Sequence, residues 1–464
     1  MPLLSQLLTG RRPPLALHLP AHGRGRGLAE GLRALLRRPP GSWDLPELPE
    51  IGGPLEPEGA VAESQRACAE LVGAQRCWFG VNGASGLLQA GLLALAQPGD
   101  RVLLPRNLHR SLLHGCLLAQ LRPVLFDLPF DPASGLWLPP SPEHLERVIT
   151  AALGGGPLAT VVLVSPSYQG LVGDLSGLIA VAHRHGLPVL LDEAHGAHLG
   201  LDPRLPPGGL ACGADLVVQS LQKAAGGLAQ SAALLQGPGS TIAAEAIERA
   251  LLWLQSSSPS ALLLASSEAA LLELHSPRGR RRLRQALDQA ERLRRRLTAL
   301  GLPLLETQDP LRLVLHCAAM GFSGLEADAW LMERGVVAEL PEPGCLTFCL
   351  GMIPPRGLQR RLPRRLLELR AALAGPALRF ERPPLPLVAE PERPLGQAWR
   401  GRSEPVPLEQ AAGRLAAEPL CPYPPGIPLL IPGERIDGPR AQWLQEQRQL
   451  WPDQIADTVK VLIE

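Results

Sequence analysis

Lys223 is one of only two lysines in a chain with 45 basic residues; the other is Lys460, close to the C-terminus. Arginine has displaced lysine almost everywhere. A guanidinium stays protonated, whereas a lysine amine can lose its proton and condense with a carbonyl to form a Schiff base. A lysine kept against such a background is a candidate for amine chemistry. Chance retention is the bland alternative, and it suits Lys460. Lys223 sits in VVQSLQKAAGGLAQSA (217–232), just after an apolar run, with Ser220 and Gln222 beside it and a Gly-Gly turn behind it.

Three further constellations share that placement beyond an apolar run. VNGASG (81–86) reads as strand, small-residue turn and helix, so backbone N–H groups and the Ser85 hydroxyl, with Gly86, can meet a phosphate. RNLHRS (106–111) puts His109 in the opening turn of a helix, where an imidazole can stack on a flat ring or move a proton. LLDEAHGAHLG (190–200) ends an apolar strand in Asp192, with His195 three residues on. A carboxylate at a strand end can hold a ring nitrogen protonated, as pyridoxal phosphate (PLP) requires. Each also has a plain structural reading as a turn, cap or helix-surface residue, and Asp192, His195 and His198 loosely suggest a metal. Their order, with 31 residues from Asp192 to Lys223, favours a PLP site, and no metal is expected.

Short apolar strands must position these residues. Candidates are 77–81, 101–105, 122–127, 158–165, 187–192 and 214–220, with amphipathic helices between them. Continuous apolar strands separated by helices predict an α/β fold with a mostly parallel sheet, whose ligands bind beyond the strand C-termini. In the arginine-rich stretch 277–301, Leu283, Leu287, Ala290, Leu293 and Leu297 mark one apolar face and Gly301 closes the helix. The arginines are thus a solvated face rather than a nucleic-acid patch. Smaller strands and helices follow to 375, then a Pro/Arg/Glu-rich stretch. The expected division is an N-terminal segment 1–57, a large domain 58–300, a small α/β domain 301–375, a linker 376–406 and a C-terminal module 407–464.

Bulk properties exclude other classes. The net charge of +1 gives no electrostatic reason for a nucleic-acid or anionic-membrane partner. No apolar run reaches the roughly 20 residues that span a bilayer. The N-terminus has apolar residues before its arginines, the reverse of a secretory signal. Eight cysteines without a C-x-x-C pair argue against structural zinc and for a reducing, cytoplasmic setting.

The chain resembles the Orn/Lys/Arg decarboxylase family in a short form, with an aspartate-aminotransferase-like fold. The resemblance runs through LHLPAHGRG (17–25), DLPELPEIGGPL (44–55), VNGASG, PRNLHRS, SPSYQG (165–170), DEAHGAH, SLQKAAGGLAQSA, SSSPSALLLAS (256–266) and PYPPGIPLLIPGE (422–434). It implies that Lys223 is the Schiff-base lysine, that Asp192 partners the pyridine nitrogen, and that His109 stacks on the ring with His195 close by. Ser85, Gly86 and Ser220 would contact the phosphate. It also implies a homodimer in which Ser258 reaches the other subunit's cofactor, and a small amino-acid substrate. The reaction implied is PLP-dependent decarboxylation of arginine, lysine or ornithine, in a polyamine-forming role. Glu434 is the first candidate to meet the cationic side chain, Glu339 the second, and His22 a further substrate neighbour. Departures from the family pattern are Gln222 for His, Ala84 for a hydroxyl, Leu88 for Asn, Ala21 for Gly and Gln169 for Glu. Transamination or aldol cleavage on the same scaffold, an inactive PLP-binding protein, and more remotely a metallohydrolase remain as alternatives.

Overall fold

The computed structural model describes residues 2–10, 13–422, 426–451 and 455–463. An eight-stranded sheet forms its centre. Its order is Val388–Ala389, Arg122–Phe126, Arg101–Pro105, Thr160–Val164, Val189–Asp192, Leu216–Ser220, Ala232–Gln236 and Arg76–Gly80. From Arg122–Phe126 to Leu216–Ser220 neighbouring strands run parallel. Ala232–Gln236 is antiparallel to both its neighbours. All six expected strands are present: Arg76–Gly80 lies one residue earlier than expected, Arg101–Pro105 is as expected, and the other four are shortened by up to two residues at an end. The strand Ala232–Gln236 was not expected: its alanine-led run directly follows the lysine segment and reads as that segment's continuation.

The apolar strands bury both faces, as a parallel sheet requires. Val161, Val189, Leu191 and Val217 belong to one core cluster, while Val102, Leu104, Leu190 and Val218 belong to another. Every strand is short, and the loops leaving the C-terminal ends of the parallel ones carry His109, the 165–170 segment, Asp192–His195 and Lys223.

The small domain carries a three-stranded antiparallel sheet, Arg312–His316, Cys345–Cys349 and Leu340–Pro341. Helix Pro277–Ala299 turns Leu283, Leu287, Ala290, Leu293 and Leu297 inward, all buried, and packs with this domain's core rather than with the large sheet. The helix thus moves the packing boundary ahead of the expected residue 300. The N-terminal segment crosses the same domain, Leu15–Ala16 pairing in parallel with Val336–Val337. The stretch expected as a plain linker is also structured. Val388–Ala389 joins the large sheet, Leu395–Arg400 is helical, and Ser403–Pro407 pairs with Thr458–Leu462 of the C-terminal module.

Candidate active site

Strand Val189–Asp192 ends inside the protein, with Asp192 buried and its Oδ1 accepting the Ala194 N–H at 3.1 Å. The turn that follows presents His195. The next parallel strand ends at Ser220, and the short helix Leu221–Ala224 brings Lys223 back toward that turn. Lys223 Nζ lies 3.0 Å from His195 Nε2 and 5.7 Å from the centre of the Tyr168 ring. Tyr168 and His195 stack at a tilt, their centroids 4.3 Å apart. Arg312, arriving from the small domain, places Nη2 3.3 Å from His195 Nδ1.

Electrostatics bind these groups into one site. Burial lowers the pKa of Lys223, Asp192 raises it, and Arg312 lowers it again. Burial likewise drives His195 well below the usual imidazole value, helped by the charges of Lys223 and Arg312. His109 caps helix Arg110–Leu118 through its Nδ1, which meets Ser111 Oγ at 2.8 Å. Its pKa is lowered by desolvation, raised by Asp192 and lowered by Lys223, so it stands within the same field.

The segment 165–170 ties the two domains together here. Tyr168 Oη donates to Glu339 Oε1 at 2.6 Å, and Gln169 Nε2 donates to both oxygens of buried Glu342, at 2.9 and 2.8 Å. Glu339 Oε2 also accepts the Leu19 N–H at 2.7 Å, and the Ala21 N–H donates to the Gln222 carbonyl at 3.1 Å. The N-terminal segment therefore lies against both the lysine loop and Glu339. Within it, His22 Nδ1 accepts the Gly25 N–H at 2.9 Å.

These residues fit PLP. Helix Gly83–Leu95 starts at a glycine with φ +67°, a backbone only glycine adopts freely. Its cap residue Asn82 makes no capping bond; the amide donates to Leu254 O instead. The Gly83 N–H donates to Gln230 O at 3.1 Å, while the following N–H groups, beside Ser85 and Gly86, have no cap from Asn82 and can meet an anion. Ser220 is buried at the strand end. The amine, the strand-end carboxylate, the imidazoles and the anion-binding turn are the complement that PLP requires.

Other expected residues fall elsewhere. Glu434 is 2% exposed, and both its oxygens are engaged. Arg106 Nη2 donates to Oε1 at 2.7 Å, Arg106 Nη1 to Oε2 at 3.3 Å, and the Ile431 N–H to Oε2 at 2.7 Å. It closes a buried ion pair that anchors the C-terminal module, so it is not available to a cationic substrate. Tyr423, Pro424 and Pro425 of the same segment lie outside the described residues. Ser258 is exposed, its N–H bonded to Ser256 Oγ within its own loop. His198 pairs instead with buried Asp309 at 3.1 Å. Among the described residues no group of three or more His, Cys, Asp and Glu is arranged to hold a metal.

Sequence reasoning missed Arg312 and gave Tyr168 no role. Tyr168 is one of two tyrosines in the chain, so the rarity that marks Lys223 also marks it. Arg312 is hidden among many arginines.

The fold and the lysine-centred site define a PLP enzyme of the aminotransferase-like α/β class. Comparison with known proteins narrows this further. Residues 11–308 match the major domain of the Orn/Lys/Arg decarboxylases, and residues 379–451 match their C-terminal domain. The chain belongs to the Orn/Lys/Arg decarboxylase family and is an amino-acid decarboxylase. It is 29% identical over 445 residues to the arginine decarboxylase of Bacillus subtilis, covering 92% of this chain and 89% of that one. It is 29% identical over 469 residues to that of Halalkalibacterium halodurans, covering 97% and 93%. Among solved structures, lysine decarboxylase A from Pseudomonas aeruginosa superposes with a TM-score of 0.76 at 19% identity, over 100% of this chain and 80% of that one. A serine palmitoyltransferase solved with PLP superposes at 0.61 with 19% identity, over 79% and 89%, which extends the fold likeness to other PLP enzymes.

Proposed function

We propose that this protein releases CO₂ from a basic amino acid, arginine first among arginine, lysine and ornithine, with Lys223 as the residue that carries PLP. The observation that supports it most is the Lys223 amine, 3.0 Å from His195 Nε2, within the field of Asp192 and 5.7 Å from the Tyr168 ring centre. The arginine decarboxylases matched over nearly the whole chain point to the substrate.

When bound, PLP supplies an electron sink for the pair released as the Cα–carboxylate bond breaks. Asp192 would keep the ring nitrogen protonated through its carboxylate, and His109 would lie against the ring. Ser85, Gly86, Ser220 and Gln222 would hold the phosphate. Gln222 donates a hydrogen bond there without an imidazolium's charge. The Lys223 Nζ or the His195 Nε2 delivers the proton that replaces CO₂ at Cα. Glu339 meets the substrate's cationic side chain; each carboxylate oxygen has a second lone pair beyond the bond it already accepts. Such a charge-assisted contact contributes about 1.5–3 kcal/mol, enough for roughly ten- to hundredfold preference over a neutral side chain. His22, in the segment packed against Gln222, lies on the same side.

The reading includes a homodimer, with Ser258 reaching the partner's site. Leu252 and Trp253 support it, being 69% and 81% exposed just before the Ser-Pro-Ser segment. A cytoplasmic, polyamine-forming role goes with it, consistent with eight free thiols. The test is a substrate panel of the three basic amino acids beside neutral and acidic ones, following CO₂ and amine. Turnover led by a basic substrate is expected. Preference for a neutral one, or accumulation of pyridoxamine phosphate, would overturn it.

A further inference from the structure

Arg312 is 2% exposed, at the start of strand Arg312–His316 opposite Cys349. Its aim is fixed by a close approach to the 165–170 loop. A side chain at Gly170, whose φ is +87°, would meet the Arg312 Cβ and Cγ at 2.9 Å, so that glycine makes room for the arginine stem. From there the guanidinium reaches His195 Nδ1, while Nε2 of the same ring faces Lys223 Nζ.

Counting donors decides the protonation of this trio. A guanidinium only donates, so Nδ1 must be the accepting nitrogen of His195. A neutral imidazole has one N–H, which then belongs to Nε2 and points at Lys223 Nζ. Only an uncharged amine has the lone pair to accept it. An ammonium at Lys223 would itself donate to Nε2, forcing the ring proton to Nδ1 and setting it against the Arg312 N–H. The burial and charges that hold His195 neutral remove the remaining escape, a doubly protonated ring. The other ionisable groups around the pair are Asp192, His109, Glu339, Cys349, Tyr168 and His198, the last paired with Asp309. Among the described residues Arg312 is the donor at Nδ1.

We propose that Arg312 is a positioning residue that fixes the Nε2–H tautomer of His195 and thereby holds the Lys223 amine in its neutral, nucleophilic form. Its guanidinium meets the His195 nitrogen on the side of the ring away from Lys223, so it acts on the amine through His195. The inference rests on the reading that Lys223 carries PLP. Amine protonation is read without cofactor, however, so the two fail separately: adduct mapping tests the lysine, and the measurements below test the arginine.

With only two lysines, the full-length cofactor-free chain suits pulse acetylation across a pH series, each site quantified by peptide mass. The plateau at high pH reports access, and the half-point reports protonation. The half-point of Lys223 is expected below that of Lys460. In Arg312→Gln it should rise by about one pH unit, roughly tenfold less reactive amine near neutrality, with Lys460 unmoved. Arg312→Lys, which keeps charge and donor, should restore most of the shift. A Lys223 half-point unmoved in folded Arg312→Gln overturns the proposal. Should that variant not fold, ¹⁵N-histidine correlation spectra of the parent chain decide. The His195 signals, assigned by their loss in His195→Asn, must show Nδ1 without a proton, and a proton on Nδ1 overturns the proposal equally.

Discussion

Two buried polar clusters lie beyond strand ends of the same sheet, and they are built oppositely. Around Glu434 both acidic oxygens are held by fixed donors: Arg106 spans the carboxylate, the Ile431 N–H adds a third donor, and Arg440 stands 3.6 Å away. Arg106 also donates to the carbonyls of Pro428 and Leu429, so the pair staples the C-terminal module to the large domain. Around Lys223 the groups outnumber the fixed bonds. One amine, two histidines, a carboxylate and a guanidinium share few contacts, and the proton between Lys223 and His195 is placed only by Arg312. A cluster whose charges are paired to each other resists change and holds architecture. An unsaturated one keeps a lone pair available, which chemistry needs.

The sharpest break of this contrast is Lys223→Arg. Charge and bulk are retained while the nucleophilic amine is lost, so turnover should fall by at least about a thousandfold, with the thermal midpoint little changed. Borohydride reduction in the presence of PLP should label Lys223 in the parent chain and nothing in the variant. A label on Lys460 would remove Lys223 from the centre of the site.

Glu434→Ala probes the paired cluster. It leaves a buried guanidinium without its carboxylate, at a cost of about 3–5 kcal/mol, to be read as a lower denaturant midpoint. KM for a basic amino acid should hold in the folded fraction. A raised KM with an unchanged midpoint would return Glu434 to the substrate.

The smallest expected effect lies at the edge of the active cluster. Burial raises the Glu342 carboxyl to about 7 from its ordinary 4.5, so the folded chain keeps a proton that the unfolded chain sheds. Below the unfolded value this has no effect. Between there and about 7 it lowers stability as pH rises. Glu342→Gln keeps an acceptor for Gln169 and removes that loss, so it should gain about 1–3 kcal/mol over the parent at pH 8 and little at pH 4. Midpoints at the two pH values measure it, and equal gains at both would refute the titration.

Much of this was legible in the sequence because it depends on local pattern. The strand-end positions of Asp192 and Lys223 follow from apolar runs, and Lys223 also stands out by rarity. What was not legible depends on three-dimensional pairing. Glu434 looked like a free acid because its partner, Arg106, lies 328 residues away in sequence. Arg312 carried no signal, since one arginine among many is distinguished only by the ring nitrogen it meets. The choice between Glu339 and Glu434 likewise turned on which carboxylate already faced a guanidinium: Arg106 pairs with Glu434, whereas Glu339 accepts from a phenol and a backbone N–H.

The two-residue strand Val388–Ala389 has a consequence out of proportion to its length. It lies antiparallel to Arg122–Phe126, with the Asp127 N–H donating to Leu387 O at 3.0 Å and Glu390 pairing with Arg101 and Arg122. It therefore occupies what would otherwise be an open hydrogen-bonding margin of the sheet. Such margins template pairing with other chains, and natural proteins blunt them with short strands, charges and prolines. Here the connection to the C-terminal module does that work, with Pro386 before it and Pro391 after it. The passage between domains thus serves as a guard against edge-to-edge strand pairing, and a chain cut short before Leu387 would present the bare margin of Arg122–Phe126 to its neighbours.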